Sequence, residues 1–383
     1  MIDRFSDSLF FVIGRNEDTH LVHNSPYRII RAQNYAAERT SSCEIIPVNI
    51  SELFKTRNSR LTVLSICLAL AILWFLLWRT GFDRFIEKVD EVPPIVLLPL
   101  AVVYTVSWFF RGLRLKIILR MLEAELSVLQ SGCVELLADL PNQFIPARLG
   151  DAVKILYMHR SGIIDYKTGT FAALMVRMMD LAAVTSLALF SALFVSGSLS
   201  EGYSSYLLAS GGIMLLTGGA WVLAVKRPEL IKKLLAGPLG RFRAAVDQVS
   251  ERMAKSPGTL MGILGVSMSV WLFDILTLFI FMRVFSIQLT IPETAFVMLL
   301  ATIAKIMPFT PNGLGVYEGM MVVILAGAGV DESTALTVAV LDHGFMNVWS
   351  FLLSVLAVYR LGLGARGAEE LFRQSAEKPT CDS

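Results

Sequence analysis

Charge is scarce in this sequence. Asp, Glu, Lys and Arg make up 17% of its 383 residues and hydrophobic residues 55%, whereas about a quarter of an ordinary soluble domain is charged. With a mean hydropathy of +0.61, the balance points to membrane immersion and away from a large soluble domain. Cysteine is equally sparse: Cys43, Cys67, Cys133 and Cys381 stand without metal or redox spacing and read as inert small residues. His20 and His23 would make an incomplete metal site at best. No HExxH, CxxC, Walker loop, GxGxxG fingerprint or GxSxG elbow in a strand-to-helix context occurs. Neither a metal nor a cofactor is expected, and a non-enzyme is the simpler expectation. Nucleic-acid binding has no support, because the bases are dispersed and no recognition module accompanies them. The first 60 residues carry Arg4, Arg15, Arg28, Arg31, Arg39, Lys55, Arg57 and Arg60 but no signal-peptide pattern, and read as a cytoplasmic tail.

What the chain does have is long apolar runs. They cover Leu61 to Trp78, Pro94 to Phe110, Thr170 to Val195, Tyr206 to Val225, Leu260 to Met282 and Ala335 to Val358, each near the roughly 20 residues that cross the hydrocarbon as a helix. Trp74, Trp78, Trp108, Trp221 and Trp349 suit helix ends or packing. Basic residues orient the runs. Arg111, Arg114, Lys116 and Arg120 follow the second, and eight bases between Lys226 and Lys255 follow the fourth, while Ser196 to Ser205 and Ser286 to Glu293 contain none. Six full spans with both ends inside satisfy this bias. The expected fold is therefore an all-α polytopic bundle, residues 61–360, between cytoplasmic tails at 1–60 and 361–383. Arg227 to Lys255 reads either as an amphipathic surface element or as a linker, split at Pro238 and Gly240.

Two regions fit poorly as simple spans. Glu123 to Ile163 is broken at Pro141, Pro146 and Gly150, and Ala295 to Val330 at Pro308, Pro311, Gly313 and Gly315. Pro146, Leu149, Gly150 and Gly162 recur 165 residues later as Pro311, Leu314, Gly315 and Gly327. Charge bias puts the two regions on opposite sides, so two re-entrant hairpins in inverted-repeat-like halves are expected, or eight helices or more if both cross. Proline removes a backbone donor and breaks a helix, and broken backbone cannot face lipid, so such segments are buried in protein or line a polar cavity. Opposed breaks of this kind suit a central transport site.

In the first break, Arg148, Lys154 and the amides of a helix starting near Gly150 suit a phosphate-like headgroup, with Asp151 at the helix start; the plainer reading is a capped turn facing cytoplasm. Glu318, in the second, would answer a cation, cap its helix or pair with Lys305. Arg177 and Asp180, three apart on one helix face, suit a structural ion pair, or else a substrate or proton path. Asp274 lies inside a span without a nearby sequence partner. Asp342 and His343 suit proton coupling or helix-to-helix hydrogen bonding.

Three stretches together resemble the lysylphosphatidylglycerol synthase transmembrane-region family, also described as flippase-like integral membrane proteins. They are IPARLGDAVKILYMHR, MVRMMD around Arg177 and Asp180, and PFTPNGLGVYEG with Pro311, Gly313, Gly315 and Glu318. The resemblance covers roughly Leu61 to Arg360. It implies a helical bundle in a bacterial or archaeal cytoplasmic membrane, the bacterial inner membrane being the expected setting. Such a bundle handles a membrane lipid or lipid-linked substrate, sometimes moving it between leaflets, and stands alone or fused to a synthase or glycosyltransferase domain; a transporter, a non-catalytic partner of a lipid- or glycan-synthesis enzyme and a membrane-embedded transferase are the readings open to it. With few residues after Arg360, the stand-alone form is expected. Asp151 and Lys154 stand in for the family's usual Glu and Arg, Tyr317 sits where a base is common, and His343 lies near a common arginine.

Overall fold

In the computed structural model, residues 57–144, 150–194, 257–304 and 310–363 are described, and they are helical with short connections. Residues Leu64–Val358 form one compact unit; of the other, 1–63 with 359–383, the described residues belong to the start of the first helix and the end of the last. The helices are α1 (Arg57–Thr80), α2 (Phe82–Asp90), α3 (Leu97–Met121), α4 (Val128–Phe144) and α5 (Gly150–Arg160). After them come α6 (Tyr166–Ala192), α7 (Pro257–Val284), α8 (Ile291–Ala304), α9 (Val316–Gly327) and α10 (Glu332–Arg360).

Four helices, α3, α6, α7 and α10, are long and apolar enough to cross a membrane, and a fifth span results if α1 and α2, bent by 87°, count as one. The protein is thus an all-α, multi-pass membrane bundle. Of the six runs expected to span, five fall on these helices, and Tyr206 to Val225 lies outside the described residues, as does the connection Arg227 to Lys255. One boundary needs correction. The second run, expected to end at Phe110, continues as helix to Met121 and carries Arg111 and Arg114 with it. Arg114 is only 2% exposed, so it sits within the bundle and is not one of the loop bases that orient the chain. A base can stay inside because a carboxylate of another helix meets it.

Helix α3 is the hub, packing against α4, α6 and α7. Its Leu115, Ile118 and Leu119 meet Val134 of α4, Met158 of α5, Met175 of α6 and Ile263 of α7 in one buried cluster. In lipid such contacts stabilise by close packing, since the surrounding tails are as apolar as the side chains.

The two broken regions each fold as a pair of short helices, α4 with α5 and α8 with α9, and the members of each pair touch. At 17, 11, 14 and 12 residues, all four are short of a full crossing. Pro146 and Arg148 in the first break, and Lys305 and Pro308 in the second, lie outside the described residues. Gly150 opens α5, and its N–H donates to Asn142 Oδ1 of α4 at 2.8 Å. A Cβ at Gly150 would lie 1.7 Å from the carbonyl oxygen of Ala138, so only glycine lets the two backbones come this close. In the second break Pro311–Gly313 makes a 3-10 turn, and Gly315, at φ +83°, precedes α9. A Cβ at Gly315 would meet Ile72 of α1 at 3.0 Å. Helix α4 also packs against Pro311–Gly313, so the first broken region meets the second.

Gly150→Ala is expected to destabilise the protein by about 3 kcal/mol, because backbone must move to admit a methyl group. Gly258→Ala, where a Cβ meets nothing within 4 Å, serves as the control. Denaturant unfolding in detergent reads both; equal midpoints would contradict the close approach.

Candidate functional site

Within the largely apolar bundle, charged side chains meet across helices. Asp274 of α7 accepts hydrogen bonds from Ser107 Oγ and from Arg111 of α3, each at 2.5 Å. One turn further along α3, Arg114 pairs with Asp180 of α6 and reaches Ser267 Oγ of α7 at 3.4 Å. Arg111 also lies over the ring of Trp108, 4.9 Å from its centroid. These pairs join α3, α6 and α7, three of the helices that meet in the apolar cluster. A charge inside a membrane span is costly unless paired, and each base here is matched by an acid on a different helix.

A second group ties α9 to α10 and α7. Glu318 of α9 accepts a hydrogen bond from the Gly315 N–H at 2.7 Å with one oxygen, capping its own helix, and its other oxygen lies 2.7 Å from His343 Nδ1 of α10. Next to it, Tyr317 donates to Asp342 Oδ2 at 2.7 Å, and Thr277 of α7 reaches Asp342 Oδ1 at 3.4 Å. Tyr317, Glu318, Asp342 and His343 are all buried. Of the roles open to Glu318, the cap is present, together with a histidine partner.

At the first break, Asp151 in the first turn of α5 is 2.8 Å from Arg177 Nε of α6 and 3.4 Å from Lys154 Nζ. Lys154 is 1% exposed and lies 3.1 Å from Glu135 of α4. Its ammonium is thus enclosed by two carboxylates. Arg177, with its side chain 41% exposed, is the more open base at this place.

The described residues among those singled out from sequence therefore fall into three groups; Arg148 and Lys305 lie outside the described residues. Asp151, Lys154 and Arg177 come together; Glu318, Asp342 and His343 come together; Asp180 and Asp274 each pair with α3. Arg177 and Asp180 share a helix, yet their ion pairs run outward to α5 and α3 and not to each other, because packed neighbours lie closer than the local partner. Asp274, without a partner in nearby sequence, has Arg111 and Ser107 across the helix interface. Sequence reasoning missed Arg111, Arg114, Ser107, Glu135 and Tyr317 as members of these groups. The available signal was the excess of bases at the end of the second apolar run, matched by Asp180 and Asp274 inside later runs. Among the described residues, no group of three or more His, Cys, Asp or Glu could hold a metal ion. An open cavity of about 430 Å³ between the α7–α8 and α9–α10 connections, lined by Gln288, Glu293 and Asp331 among others, includes none of the paired charges.

The family described as "Lysylphosphatidylglycerol synthase TM region" matches residues 62–354. The chain belongs to this family. Three curated proteins similar to this family member are archaeal. A "Glycosyltransferase AglD" of Haloferax volcanii is 25% identical over 337 residues, which cover 77% of this chain and 53% of that protein. A "UPF0104 membrane protein" of Methanothermobacter thermautotrophicus is 24% identical over 144 residues, 36% of this chain and 40% of the relative. Another, of Methanocaldococcus jannaschii, is 25% identical over 216 residues, 55% of this chain and 89% of the relative. The chain thus spans about half the length of the first two relatives.

Asp274→Leu and Arg111→Met are each expected to destabilise this family member by about 3 kcal/mol, because each strands the other's charge, while the double variant recovers most of the loss. Unfolding of the three variants in detergent checks this. Additive losses would show that the two groups do not stabilise each other.

Proposed function

We propose that the protein is a flippase-like membrane transporter that carries an anionic lipid or a lipid-linked glycan precursor between leaflets. The observation that carries this reading is the meeting of the two broken regions beside paired charges inside the bundle. A lipid headgroup crosses hydrocarbon only where polar groups replace water around it, and charge within membrane spans characteristically marks such paths. Membership of a family named for a synthase TM region favours a lipid substrate, and likeness to a protein named a glycosyltransferase favours a glycan-linked one.

The finer architecture belongs to the same proposal. Six full spans and two re-entrant hairpins in inverted-repeat-like halves make up residues 61–360, with cytoplasmic tails at 1–60 and 361–383. Arg148, Asp151, Lys154 and Glu318 attend the headgroup. Arg177, Asp180, Asp274, Lys305, Asp342 and His343 hold the charge inside the bundle, and Pro146, Gly150, Pro311, Gly313 and Gly315 set the breaks. The location is the cell membrane; in a bacterium that is the inner membrane, and the archaeal relatives give the equivalent archaeal setting.

A second reading is a non-transporting partner of a lipid- or glycan-synthesis enzyme, favoured by the partial coverage of the glycosyltransferase-named relative. Vesicles reconstituted with the protein and headgroup-labelled lipids separate the two. Transport predicts leaflet exchange that falls at least about ten-fold, or about 1.4 kcal/mol in barrier, in Arg148→Ala and in Asp274→Asn, the latter keeping the shape of the side chain. No exchange by the unaltered protein favours the partner reading; full exchange in both variants would remove Arg148 and Asp274 from the path.

A further inference from the structure

The interior carries a second kind of polar chemistry, made of side-chain amides. Asn142 and Gln143 end α4, Asn312 lies in the Pro311–Gly313 turn, and Asn347 and Ser350 project from α10. Asn312 Nδ2 donates to Asn347 Oδ1 at 2.5 Å, and Gln143 Nε2 donates to Asp139 Oδ2 and Ser350 Oγ, each at 2.8 Å. These bonds join both broken regions to the last span. Asn312 itself stands at φ +48°, in the left-handed region that asparagine tolerates better than most residues.

Depth makes the cluster informative. Asn347 lies near the middle of α10, about 20 Å of helix from either end at 1.5 Å per residue. An amide at that depth costs several kcal/mol if it faces hydrocarbon. Asp139, Asn142, Gln143, Asn312 and Asn347 are nevertheless only partly buried. Their hydrogen-bonding capacity is also incompletely used. Asn142 gives its oxygen to the Gly150 N–H and Asn347 gives its oxygen to Asn312, so the Nδ2 groups of both remain as donors. Asn312 Oδ1, Gln143 Oε1 and Asp139 Oδ1 remain as acceptors toward the described residues, and none of these five atoms is among the fully enclosed unpartnered ones.

Interleaved donors and acceptors with a single carboxylate do not suit a bare anion, which needs donors and positive charge. They suit hydroxyl groups, each of which donates and accepts at once. We propose that this amide cluster is a headgroup subsite that recognises adjacent hydroxyls on a lipid, those of a glycerol or a sugar. That the ligand is a lipid rests on the transport reading above; that it bears hydroxyls rests on the amides alone. The charged groups near Asp151 would then attend the phosphate while the amides select what is attached to it.

Binding and transport are best read separately. The full-length protein, purified in lauryldimethylamine oxide, whose headgroup carries no hydroxyl, is titrated with fluorescent phosphatidylglycerol, glucosyl-diacylglycerol and phosphatidylethanol. The last keeps the phosphodiester and its charge but has no hydroxyl. At least one hydroxylated probe should bind about ten-fold more tightly than phosphatidylethanol, and Asn347→Leu and Gln143→Met should each remove most of that preference while leaving phosphatidylethanol binding within two-fold. Preference for phosphatidylglycerol alone identifies a glycerol headgroup, and preference for the glucosyl lipid alone identifies a sugar. Both variants make the interior more apolar, and Asn142→Asp, which keeps the acceptor for Gly150 while losing the spare donor, covers the case in which either fails to fold. Equal binding of all three probes, or a preference unchanged in the folded variants, would overturn the subsite. Selective binding without leaflet exchange in vesicles would refute transport and leave the subsite standing.

Discussion

Everything else in the bundle depends on α3 carrying two arginines into its interior and having each met by an acid from another helix. Arg111 meets Asp274 of α7 and Arg114 meets Asp180 of α6. In water an ion pair of this kind contributes little, because both charges are well solvated when apart. In hydrocarbon the separated state is so costly that the pairs fix which helices are neighbours. The apolar cluster around Leu115 and Ile118 then fills the space between helices already brought together.

The same economy of partners appears at the breaks. Glu318 caps α9 through the Gly315 N–H and meets His343 of α10, so one carboxylate both starts a helix and ties it to the last span. Asn142 does the corresponding work in the first break by accepting from the Gly150 N–H. Each break therefore satisfies a backbone donor with a side chain and does not leave it to lipid. The solutions differ in charge, carboxylate in one and amide in the other, so the two breaks are not equivalent even where their Pro-x-x-Leu-Gly patterns match.

Much of this was legible in the sequence. Long apolar runs marked α1, α3, α6, α7 and α10, and the Pro and Gly positions marked where α5 and α9 begin. The pairing was less accessible. Arg177 and Asp180 have ideal spacing for a bond along one helix, but spacing says nothing about which other helix lies closer. Lys154 reads as an open base because its partner Glu135 is nineteen positions earlier, on the other arm of a hairpin. Arg111 and Arg114 read as loop bases because an apolar run stops at Phe110, although the helix does not. The amides of Asn142, Gln143, Asn312 and Asn347 carry no charge and no periodic signal, so only their convergence in space gives them meaning.

The transport reading requires that water reach the paired charges and amides inside the bundle. The most direct measurement is the reaction of a single cysteine with a charged, water-soluble methanethiosulfonate in a variant whose four native cysteines are replaced. Asn347→Cys in reconstituted vesicles should react, while Leu352→Cys, on the same helix and 49% exposed on the bundle's outer surface, should not, because lipid excludes the reagent. Failure of Asn347→Cys to react in folded protein would contradict a hydrated interior, and with it a path for a headgroup.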